Sequence, residues 1–181
     1  MSSRMRDKVY LPIVGTQLLG MLLLDLVPLY PECLWRRPSS PLHALVSLRA
    51  WWAARSGDPY FGAAQHEPWF EAFLYVEVLV QLPLTLYLVA ELGSLRPTSG
   101  AAELAGLAYG CVTFMGAVAC CCEIWRMGPD RVRDEHWGGL FWGTYLPFCI
   151  VAGVMAVDMY LRLLPRVQTP ARRANTASRA S

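Results

Sequence analysis

Polar and apolar residues are strongly segregated along this chain. Four apolar blocks, at about 9–31, 69–92, 101–125 and 137–164, alternate with shorter polar stretches. The first, from Val9 to Pro31, has one interior charge, Asp25. The second, from Trp69 to Leu92, carries Glu71, Glu77, Gln81 and Glu91. The third, from Ala101 to Trp125, has Glu103 near its start and Glu123 near its end, and the fourth, from Trp137 to Leu164, is uncharged until Asp158. A hydrocarbon core of about 30 Å needs roughly 20 residues at helical rise, and each block reaches that length. A soluble bundle would carry a charged face along every helix, which these blocks lack. The pattern predicts an all-α membrane protein, a bundle of four transmembrane helices over residues 9–164.

The connections add detail. A short basic stretch, residues 1–8, precedes the first block as a cytoplasmic N-terminus. The block is too long for a cleaved signal peptide, contains Asp25 and lacks a small-residue cleavage site. Pro12, Pro28, Pro83 and Pro147 fall within the blocks, where neighbouring groups can satisfy the freed carbonyls and kinks open space. The first loop, Glu32 to Pro68, is too long for a simple connection. Leu42, Leu45, Val46, Leu48, Trp51 and Trp52 recur there near helical spacing. They predict an amphipathic helix at the interface, or alternatively a lid over the bundle. Residues 165–181 are polar and rich in small residues, and are expected to be disordered. Nine basic residues on the side of the termini face seven on the other, which favours cytoplasmic termini.

Composition narrows the function. The chain is 55% hydrophobic and only 17% charged, with a net charge of +2, so it offers no dense basic face for nucleic acid. Cys120, Cys121 and Cys122 are consecutive, so on a helix they diverge. Cys33, Cys111 and Cys149 lie apart, and His43, His66 and His136 are scattered through loops. Zinc needs convergent Cys and His spacing. Buried thiols are the expectation, with neither metal nor other cofactor.

The acids inside the blocks carry the functional information, because a carboxylate at membrane depth is costly and usually faces the bundle interior. Counting along antiparallel helices places Asp25 about 9 Å and Glu77 about 12 Å below the same membrane face. Glu123, Tyr145 and Pro147 are expected near that face too, with Gln81 one helical turn from Glu77. Glu103 and Asp158 belong to the opposite side, where snorkelling accounts for them, and Glu71 and Glu91 are read as helix-end residues. Neighbouring buried acids can pair with a lipophilic amine or pass a proton to and from an alkene. They can also simply hold helices together.

The run WFEAFLYVEVLVQLP (Trp69 to Pro83), with RAWWAARSGDP and LLLDLVPLYP before it and TYLPF in the fourth block, resembles the EXPERA-domain family. The resemblance spans about Gly20 to Arg162. It implies a four-helix protein of the endoplasmic reticulum membrane with a pocket for sterols, isoprenoid lipids and cationic amphiphiles. Carried over by position, the ligand-binding residues would be Asp25, Glu77, Gln81, Asp58 of the loop D-P, and Tyr145. Asp58, expected at the exposed interface, would position the pocket through hydrogen bonds. The family's sterol isomerases carry a histidine one turn before the second-helix glutamate. Here that position is Phe73, which counts against sterol isomerisation and leaves other proton transfer open.

Three readings follow: a lipid binder, an isomerase or terpene cyclase with Asp25, Glu77 and Glu123 as proton-transfer groups, and a structural protein that binds a partner. A homodimer or another membrane protein would be that partner.

Overall fold

The computed structural model describes residues 3–62 and 67–180, with side chains for 4–61 and 67–168. His66 and the side chains of Arg172, Arg173 and Arg179 lie outside the described residues. Four helical segments are long and apolar enough to cross a membrane: Arg4–Asp25, Pro68–Gly93, Gly100–Arg126 and Asp134–Gln168.

The first span is α1 (Ser3–Gly20), continued by one wide π turn, Met21–Asp25. It ends at Asp25 and not near residue 31, which corrects the expected boundary. Pro28 has no N–H to donate, and its ring would clash with the carbonyl four residues earlier. The chain therefore leaves through two tight 3-10 turns, Val27–Leu29 and Glu32–Leu34. Asp25 stands at the very end of its span instead of six residues inside it.

The long loop contains the helix its periodicity predicts, α2 (His43–Ser56), followed by the single turn α3 (Pro59–Gly62). Gly57 separates them with φ +69°, and its N–H caps α2 on the Ala53 carbonyl at 2.9 Å. A side chain at 57 would be strained there, and its Cβ would stand 2.7 Å from the His136 ring. Only glycine meets both demands.

The second span is α4 (Pro68–Val76), a π turn Glu77–Gln81 and α5 (Leu82–Gly93). The third is the unbroken α6 (Gly100–Arg126), whose start is capped by the Ser99 hydroxyl accepting from the Ala102 N–H at 3.1 Å. The fourth is α7 (Asp134–Leu140), a π turn Phe141–Tyr145 and α8 (Leu146–Ala180). The backbone of α8 thus stays helical past residue 164 through a stretch expected to be disordered. Alanine and arginine, both good helix formers, recur along it. Pro83 and Pro147 each come two residues after their π turn. The widened ring, closed from Leu82 N–H to Glu77 O and from Leu146 N–H to Phe141 O, lets the proline join without breaking the helix.

α6 and α8 approach most closely. A Cβ at Gly110 would lie 2.9 Å from the Ala156 backbone nitrogen, and one at Gly106 would lie 3.0 Å from Met159. Small residues permit such contact in membranes. Tyr10, Val14, Leu88, Leu92, Tyr109, Met155 and Met159 form an apolar layer toward the termini. Ala117, Ile124, Leu140, Phe141 and Cys149 form another with Tyr60 at the loop end. Leu79, Leu86, Met115 and Val157 stand exposed on the outside, a surface suited to lipid.

Beyond the first layer, buried ion pairs close the terminal end. Arg162 pairs with Asp7, and with Asp158 at 2.6 Å; Arg6 also pairs with Asp158. Arg166 pairs with Glu103 at 2.7 Å. Glu103 and Asp158 therefore do not snorkel. They are 2% and 9% exposed, because α8 brings arginines down onto them.

Candidate functional site

A cavity of about 400 Å³ lies between the two apolar layers, roofed by α2 and α3. Its polar lining includes Gln17, Asp25, Asp58, Glu77, Gln81, Thr113 and Tyr145. Five aromatic rings, Trp52, Phe61, Phe70, Phe73 and Phe148, share the rest of the lining with small and aliphatic residues. Four of the polar groups are ends of π turns. Asp25 closes the first, Glu77 and Gln81 bracket the second, and Tyr145 closes the third. A turn closed five residues on brings residues four apart nearly into line, so Glu77 and Gln81 both face inward and are both 9% exposed.

The carboxyl groups of Asp25 and Glu77 hydrogen-bond to each other. A hydrogen bond between two carboxyl groups requires a proton on one of them. Gln81 Nε2 donates to Thr113 Oγ1 at 2.7 Å, tying the second span to the third.

Asp58 occupies the roof. Tyr145 OH donates to its Oδ2 at 2.9 Å, and the Tyr60 N–H donates to its Oδ1 at 3.0 Å. It is only 3% exposed, not an exposed interfacial acid, because α2 and α3 fold over the cavity. Burial pushes its carboxyl up to about 6, although the hydrogen bonds from Tyr145 and from the Tyr60 and Phe61 backbone act in the opposite direction. The loop helix is thus a lid on its inner side, where Trp52 meets the cavity, while Trp51 points outward, 59% exposed.

Glu123 stands apart. It accepts from Tyr60 OH at 3.1 Å and faces Arg131 at 3.7 Å. Tyr60, stacked on Phe70 with ring centroids 4.5 Å apart, forms a wall on the cavity side. Glu123 lines a separate outer groove with Trp125 and Arg126, so it does not join Asp25 and Glu77. The three consecutive cysteines do diverge: Cys120 lines the cavity, Cys121 is core and Cys122 is exposed. Among the described residues no group of three His, Cys, Asp or Glu side chains could hold a metal ion.

Sequence reasoning missed Thr113, Gln17 and Arg49. Thr113 joins the cavity lining with a partner on another helix, Gln81, which no local pattern signals. The polar-residue, leucine, proline triplets at Gln81–Pro83 and Tyr145–Pro147 were the available signal for the π turns.

The arrangement defines a class: a helical membrane protein of four spans, with a mostly apolar cavity bearing a few acids in the bundle under a loop helix. The chain belongs to the EXPERA (EXPanded EBP superfamily) family, whose family model matches residues 44–159. The match begins in α2 and ends in α8, leaving the first span and Asp25 outside it. No curated protein matches the chain.

Proposed function

We propose that this protein binds sterol-like or isoprenoid lipids in the cavity, and amine-bearing amphiphiles through the Asp25–Glu77 pair, in the endoplasmic reticulum membrane. The observation that carries the reading is a cavity of about 400 Å³ with an apolar, aromatic wall and a few polar groups, the usual make-up of a small-molecule site. Glu77, Asp25 and Gln81 would receive the ligand's polar head. Asp58 and Tyr145 would hold the roof in place. The Trp69 to Pro83 run also resembles sigma-2 receptor-like members of the family, a likeness that fits a binder.

The facing carboxyl groups of Asp25 and Glu77 favour a second reading, in which one of them carries a proton. In an isomerase or terpene cyclase, the protonated carboxyl would add its proton to an alkene or epoxide. The aromatic wall would stabilise the resulting cation, and the carboxylate would recover a proton from a neighbouring carbon. Glu123, behind Tyr60, takes no part. Incubating the purified protein with a panel of sterols and epoxy-isoprenoids separates the readings. Saturable binding without new products supports the binder, a rearranged product supports the enzyme, and neither leaves the acids as structural contacts in a partner-binding protein.

A further inference from the structure

Arg49 stands on the lid helix α2 one turn before Trp52 of the cavity wall, half-buried and just outside the cavity lining. Its guanidinium lies over the ring of Phe61, another wall residue, at 5.6 Å. Asp25 is the acid whose charge it feels, and Asp25 feels Arg49 in return. Its Nε is buried with no hydrogen-bond partner among the described residues. A buried N–H left without a partner is costly, so a small turn of the guanidinium that brings an acceptor within its reach is favoured.

We infer that Arg49 is the cavity's built-in cation, a specificity residue that selects lipids with a neutral oxygen head, a hydroxyl or epoxide, over amines of the same shape. This inference rests on the binding role proposed above. The Asp25–Glu77 pair, when the two share one proton, carries at most one negative charge, and Arg49 supplies the opposing positive charge. An ammonium head must displace or crowd that guanidinium to reach the acids. A hydroxyl or ether oxygen instead accepts from the arginine and donates to, or leaves undisturbed, the carboxyl pair. Burial lowers the basicity of Arg49 while Asp25 works against that loss, which keeps the two groups interdependent.

The test uses the full chain in detergent and two matched probes, a 3β-hydroxysterol and its 3β-dimethylamino analogue, with Kd measured for each. The wild-type protein should bind the hydroxysterol at least as tightly as the amine. In Arg49→Gln the ratio should move toward the amine by about ten- to a hundred-fold, the worth of one charge-assisted bond to a buried carboxylate. Arg49→Met, which keeps the stem packed on Phe61, should behave the same way if the glutamine variant fails to fold, and Arg49→Lys should keep the wild-type order. A wild-type preference for the amine of tenfold or more overturns the inference, as does a ratio unchanged in both neutral variants. In either case both probes still bind, so the cavity reading stands. Binding of neither probe to any chain would instead remove the cavity reading, and this inference with it.

Discussion

Both ends of this bundle bury acids, and they treat them differently. At the terminal end Asp7, Asp158 and Glu103 are met by Arg6, Arg162 and Arg166. Each carboxylate there has a cation in contact, so nothing is left to recognise a ligand. In the cavity, Asp25 and Glu77 face chiefly each other, and the nearest cation reaches them from the lid. The same residue types thus act as fasteners where arginine saturates them and are left facing a cavity where it does not.

The largest effect should come from the fastened end. Arg162→Leu strands Asp7 without its arginine and leaves Asp158 with Arg6 alone, and breaking a buried pair costs about 3–5 kcal/mol. Thermal unfolding in detergent should show that loss, whereas ligand affinity in the folded fraction should be unchanged. A variant as stable as wild type would erase the distinction between the ends.

Asp58 should give a pH effect of nearly that size. Its folded-state carboxyl is raised to about 6 from an ordinary 3.8, so the native state holds its proton more tightly than the unfolded chain. Its contribution is fully present below about pH 4 and is lost as pH rises through 6, by about 3 kcal/mol. The difference between wild type and Asp58→Asn across pH 4–7 isolates that group, and parallel stability curves would contradict it.

Next comes the cavity pair. Glu77→Gln keeps size and hydrogen bonding but cannot be charged. It should weaken a cationic amphiphile by about ten- to a hundred-fold and a neutral sterol much less. The unfolding midpoint should hardly move, since interhelical bonds in membranes average only about 0.6 kcal/mol. Equal affinities would make this acid a fastener like those at the far end. The smallest effect belongs to Glu123→Gln, whose partner Arg131 is half exposed. Ligand affinity should stay within about twofold and stability within about 1 kcal/mol. A large loss of binding would show that Tyr60 is no barrier.

The spans were legible because burial in lipid demands long apolar runs, and the lid helix because its leucines and tryptophans keep helical spacing. Asp25, Glu77 and Gln81 stood out as polar residues where polarity is costly, and the structure places all three on one cavity. The ion pairs were invisible for a different reason. Arg162 and Asp7 are remote in sequence, and only the packing of α8 on α1 makes them neighbours. The fate of Asp58 depended on the lid closing over it, a tertiary event that its proline neighbour does not encode. Arg49 looked like one loop charge among several until α2 had an inside and an outside.

The π turns also change how this chain must be aligned with any other. Each is in effect one residue inserted into an α-helix. Removing a single residue between Phe73 and Pro83 would close the turn to a regular helix with both flanks in place, but Glu77 and Gln81 would no longer bracket a widened turn on the cavity. Length between the aromatic start of the second span and its proline is therefore a signature as informative as residue identity. A relative that matches every letter but lacks one position there would present a different surface to whatever fills the cavity.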